Sequence, residues 1–195
     1  MKQNALFDVF LDLLKDLFDA ENQIVQNLPK IIQAASSADL KNALSQHLDE
    51  TKNQVQRLKQ IFKMLNENPT GTTCVGMQAL FEEGEQELKQ DLPPAVKDAC
   101  IIIACQKVEH YEISSYGSAR TLAHHLNNVG VDERIDFDEI ADLLQQTLDE
   151  ESAADEKLTD IAEGGFFSTG INEAAEKETS GSSSKTSSKR KPTSR

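Results

Sequence analysis

The sequence is short of everything that would place it in a membrane, in an oxidising compartment or on nucleic acid. Its longest uninterrupted apolar run, around Ala99 to Cys105, is a handful of residues, far below the roughly 20 that a spanning helix needs. Three cysteines, Cys74, Cys100 and Cys105, make an odd number with no Cys-x-x-Cys pair. That excludes a fully paired disulfide framework and fits free thiols in a reducing compartment. No signal peptide precedes them, so the expected location is cytoplasmic. Positive charge is scarce as well: Lys and Arg number 20 against 33 Asp and Glu, and six of those bases, against one Glu, fall from Lys177 onward. The acidic body is therefore not expected to bind nucleic acid, and its basic end would do so only weakly at physiological salt.

Strand signals are missing too, and helical periodicity replaces them. Apolar residues at Leu6, Phe10, Leu13, Leu14, Leu17, Ile24, Leu28, Ile31 and Ile32 mark one face of a first helix over Leu6 to Ile32, with Pro29 as a point where it can kink. Ser37 or Asp39 can cap a second helix from about Asp39 to Asn66, which "NENPTGTT" ends. A short amphipathic piece, Met77 to Leu88, precedes Pro93 and Pro94. A third long helix follows from near Pro94 to about Asn127, and after "NNVGVDERID" a fourth runs from about Phe137 to Glu163. Four long helices, two in each half, form an all-α bundle whose middle connection is a long crossover carrying a short extra helix. The expected division is a bundle over residues 1–165 and a disordered Ser/Lys-rich tail over 166–195, ending "TSGSSSKTSSKRKPTSR", where no apolar residue can offset the ordering entropy.

The stripes are interrupted by acids. Glu21 stands between Leu17 and Ile24 on the first, and His47 with Glu50 three residues on breaks the second. Glu109 and Glu112 lie between Cys105 and Tyr116 on the third, and Glu151 and Asp155 between Leu148 and Leu158 on the fourth. One acid on an apolar face is a boundary residue reaching for water. Six carboxylates converging on one core would each cost several kcal/mol if left unpaired, and Lys52, Lys107 and Lys157 lie off the stripes. Two divalent ions supply about four positive charges at one place, and an oxygen-rich set with a single imidazole suits iron or manganese better than zinc. His110, about 100° round the helix from Glu109, is expected beside the site or on the surface. Tyr116 continues the inner stripe, where it can hydrogen-bond a ligand or be an ordinary core tyrosine. Cys100 and Cys105 are expected as small core residues.

The segments "DLFDAENQI", "HLDETKNQVQRL", "VEHYEISSYG" and "LDEESAADEKLTDIA" resemble, in order and spacing, the YciE/YciF family of bacterial stress-associated proteins in the ferritin-like superfamily. The resemblance runs from about Leu6 to Ala162. It implies a ferritin-like, rubrerythrin-like four-helix bundle, a homodimer, and a di-iron or related di-metal centre that handles iron, dioxygen or peroxide. Carried over by position, the metal ligands are Glu21, His47, Glu50, Glu109, Glu112, Glu151 and Asp155, with Glu150 competing for the place of Glu151. The second helix reads His-x-x-Glu where the superfamily has Glu-x-x-His, and the fourth offers Asp155 where a histidine is common. Manganese, and the superfamily's ferroxidase or peroxidase activity, therefore stay open. The alternative is a metal-free structural or partner-binding stress protein.

Overall fold

The computed structural model describes residues 4–165 and 168–183. Helix α1 spans Ala5–Ala34, and the Asn4 side chain accepts the backbone N–H groups of Leu6 and Phe7 at its start. The helix continues past Pro29 for another turn. Ser37, one of the two caps expected, accepts from Leu40 N–H to open α2, Ala38–Leu65. Asn66 closes α2 with a left-handed backbone, φ 55°, which asparagine tolerates better than most residues. Buried Asp98 fixes the α1–α2 turn by accepting the Ser36 and Ser37 N–H groups at 2.7 Å each.

The crossover carries α3, Val75–Leu88, which packs against α4 and α1. Helix α4 spans Pro94–Asn128, with proline at its first position, where the missing N–H costs nothing. Helix α5, Phe137–Glu163, is capped by Asp136 accepting from Glu139 N–H. The pairs α1–α2 and α4–α5 are the two hairpins, and α1–α4 and α2–α5 contacts join them into one bundle.

The described residues continue beyond the bundle's expected edge. Residues 164–165 pair antiparallel with 168–169, and a further helix, α6, runs Ile171–Ser183 and packs on α4. The expectation of disorder from residue 166 is corrected for this stretch; residues 166–167 and 184–195 lie outside the described residues. The physical reason is local: "INEAAEKE" places Ile171, Ala174 and Ala175 on one helical side, and Ile171 is buried in the core shared with α4. Gly170 allows the approach, because a Cβ there would collide with the backbone of Ala162 and Glu163. Gly170→Ala is accordingly expected to cost about 1–3 kcal/mol, read as a lower melting temperature together with faster amide exchange in α6.

The core is two apolar clusters with a polar layer between them. One joins Phe10, Leu14 and Leu17 of α1 to Leu58 and Phe62 of α2, Tyr116 to Leu126 of α4, and Ile140 and Leu144 of α5. The other joins Ile24 and Leu28, Leu40 and Leu44, Ile101 to Val108, and Leu158. On α1, α4 and α5 the change from one cluster to the other falls at the buried acids, and on α2 it falls at His47, Thr51 and Gln54.

Candidate metal centre

Each long helix delivers buried polar groups to that layer: Glu21 from α1, His47, Thr51 and Gln54 from α2, Glu109 and Glu112 from α4, Thr147 and Glu151 from α5. Three- and four-residue steps hold them on the inward faces. His47, Glu109, Glu112 and Glu151 each offer a donor atom, and the four atoms lie within 4.8 Å of one another. His47 Nε2 stands 3.4 Å from Glu109 Oε1, outside hydrogen-bond geometry. One carboxylate oxygen on each of Glu21, Glu109 and Glu151, both on Glu112, and His47 Nε2 are buried with no hydrogen-bond partner.

Such orphaned atoms are rare in folded proteins, where buried polar groups are nearly always paired. Burial first, and the charge of Glu151 next, push the Glu109 carboxyl well above the usual range. Glu112 is raised by burial and then by Glu21, Glu151 and Glu109. Glu21 is raised by burial and by Glu151, against the hydrogen bond it accepts from the Tyr116 hydroxyl. The Tyr116 phenol is itself held protonated by burial and by Glu21, so it stays a donor. The layer must therefore be neutralised by protons or by cations. Carboxylate oxygens with one imidazole form a hard donor set that fits a divalent ion. Cys105, raised by burial and Glu109, remains a neutral thiol beside it.

Of the seven expected ligands, the structure brings His47, Glu109, Glu112 and Glu151 together, with Glu21 joined to the layer through Tyr116. It does not bring in the other two. Glu50 is half-buried and accepts a hydrogen bond from Gln46 on its own helix, 2.8 Å away. Asp155 is half-buried on the α4 side, where Gln106 donates to it and His110 stands 3.4 Å away. The inward places on α2 belong to Thr51 and Gln54. The competition between Glu150 and Glu151 is resolved by orientation: Glu151 points into the layer and Glu150 out of it.

Sequence reasoning missed Arg57. Its guanidinium binds Glu150 in a fork, 2.9 Å on each arm, and donates to Thr147 at 2.6 Å. Gln54 Nε2 bridges outward to Glu150 and inward to Glu151. Burial alone would raise Glu150, but Arg57 and Gln54 hold its carboxyl below the usual value. The available signal was the seven-residue step from Glu50 to Arg57, two turns along one side of α2. Glu150→Gln, which leaves Arg57 without its counter-charge, is expected to lower stability by about 1–3 kcal/mol, measured by urea unfolding, without removing any of the four clustered donors.

The helical order and the acid layer define a ferritin-like four-helix bundle. The crystal structure of the E. coli stress protein YciF matches with a TM-score of 0.73 and 40% identity, over 82% of this chain and 94% of that one. YcfI from Rhodopseudomonas palustris matches with a TM-score of 0.75 and 37% identity, over 82% of this chain and 96% of that one. Among curated proteins, Protein YciF of Escherichia coli K12 is 39% identical over 163 residues, 83% of this chain and 93% of YciF. Residues 5–176 match the family model described as Domain of unknown function (DUF892), and the chain belongs to this family of YciF-like proteins. The matched span ends at Glu176, within α6.

Proposed function

We propose that the buried layer binds two divalent metal ions, iron in the first place and manganese as the alternative, and that the protein uses them in redox chemistry on dioxygen or peroxide in a stress response. The observation that carries this reading is the set of unpartnered donors on Glu21, His47, Glu109, Glu112 and Glu151. The four buried glutamates bring four negative charges when ionised, which two divalent ions balance. A bound pair would supply one-electron steps between its two oxidation states.

The chain's own residues set the conditions. His47 is the one nitrogen donor; Glu109, Glu112 and Glu151 can each turn an orphaned oxygen inward. Gln54 and the Tyr116 hydroxyl restrain Glu151 and Glu21 from outside, and such partners fix the orientation of ligating carboxylates. Tyr116 also keeps a proton one hydrogen bond from the layer. The apolar clusters on both sides limit water. A cytoplasmic location and a homodimer belong to the same proposal. Belonging to a family with the stress protein YciF supports the physiological part.

Anaerobic titration of the full chain with Fe²⁺ should load about two ions per chain, and admission of oxygen should then give a ferric absorption band. A chain that takes up no Fe²⁺ or Mn²⁺ after reconstitution would favour the metal-free structural or partner-binding role.

A further inference from the structure

Two openings of opposite character meet at the same pair of residues. On one side an apolar cavity of about 70 Å³, walled by Leu28, Leu80, Phe81, Ile101 and Ala104, reaches His47 and Glu109 from beneath α3. On the other, a roomier cleft of about 560 Å³ between α2 and α5 reaches the same two side chains. Glu50, Asp149 and Glu150 line that cleft, with Lys157 as the cation on its wall. His47 and Glu109 are both more than nine-tenths buried, and His47 Nε2 and Glu109 Oε2 have no hydrogen-bond partner.

We propose that the α2–α5 cleft is the route by which divalent cations reach the buried layer, with Glu50 as a transit ligand that hands them to His47 and Glu109. This rests on the metal-site reading above. A cation must shed water in steps, and an acidic cleft with low-dielectric walls concentrates it before it does so. The other cavity is narrower, and although Glu85 and Glu87 also line it, its wall is otherwise largely apolar. Of the cleft's acids, Glu150 is already matched by Arg57, whereas Glu50 accepts from the neutral amide of Gln46. Among the described residues Glu50 therefore has no ion-pair partner to compete with a passing cation. The same position explains why a His-x-x-Glu pair is present in the sequence although its glutamate stands outside the cluster.

The test is stopped-flow uptake of Co²⁺ by metal-free, full-length protein, followed by the visible absorption of bound cobalt, with the final stoichiometry read from the same traces. Glu50→Gln and Glu50→Lys should slow uptake, the latter about tenfold or more, with unchanged stoichiometry and end-point spectrum. Lys157→Glu should accelerate it, and added salt should compress all these differences. Equal rates in the wild-type, Glu50→Lys and Lys157→Glu proteins would overturn the route. So would a reduced stoichiometry or altered end-point spectrum in Glu50→Gln, which would make Glu50 a direct ligand. Wild-type protein that binds no Co²⁺ would overturn the metal-site reading itself, and the route with it.

Discussion

Metal-free Glu112→Leu protein should melt about 2–12 °C above the wild type while losing metal affinity by at least about 100-fold. Both carboxyl oxygens of Glu112 are buried without a partner, and burial together with Glu21, Glu151 and Glu109 makes its ionised form costly. A polar group buried in this way costs about 1–3 kcal/mol by comparison with an apolar side chain of similar size. In a bundle of this length 1 kcal/mol is worth about 2–4 °C. Outer partners of metal ligands commonly contribute 10–100-fold in affinity, and a direct ligand should contribute no less.

Glu151→Leu is the control, since the lost carboxylate would leave Gln54 Nε2 with Glu150 as its remaining partner; its gain in stability should be smaller. Thermal melts with chelator present and equilibrium dialysis of Mn²⁺ measure the two effects on one sample. A Glu112→Leu protein that melts below the wild type without metal and still binds Mn²⁺ normally would contradict the assignment.

Those contrasting expectations depend on which acids face inward, and here sequence and structure part in an instructive way. The four helices were legible, because apolar residues recur at three and four, and Ser37, one of the two caps expected, opens α2. The layer was legible on α1 and α4, where Glu21, Glu109 and Glu112 fall on the midline of the apolar stripe. On α2 the stripe is broader. At about 100° per residue, His47, Thr51, Gln54 and Leu58 stay within about 40° of its centre, whereas Glu50 lies about 80° away; chemical type drew attention to the acid over the better-placed threonine and glutamine.

Asp155 is a different case. Its angle is acceptable, and what takes it from the layer is capture by Gln106 and His110 of the adjacent helix, a tertiary effect that no single-helix pattern contains. Helix α6 was hidden by its neighbours: the Ser- and Lys-rich segment after it dominates the composition, while its anchor is essentially Ile171 seated against α4.

The acid layer should also give the metal-free and metal-loaded proteins opposite pH dependences. Glu21, Glu109 and Glu112 have carboxyl pKa values raised well above normal in the fold, chiefly by burial, while in the unfolded chain a glutamate titrates near about 4.3. Between that value and the raised values the folded state holds more protons than the unfolded state. Stability must then fall as pH rises, by about 1.4 kcal/mol per pH unit for each carboxyl protonated in the fold and ionised out of it. Metal-free protein should therefore melt higher at pH 5.5 than at pH 7.5 (about two units apart, the span that linkage acts over).

With metal bound, the same carboxyls are ionised ligands and protons compete for their oxygens, so loading and its stabilisation should fade on acidification. Melting temperatures against pH, measured with chelator and with saturating Mn²⁺, should cross on the acid side of neutrality. Further acidification, through about 4 and below, should weaken both forms, because Glu150 must then give up its ion pair with Arg57. Metal-free protein that instead gains stability from pH 5.5 to 7.5 would mean that the buried glutamates are ionised without metal, and the charge argument for two divalent ions would lose its basis.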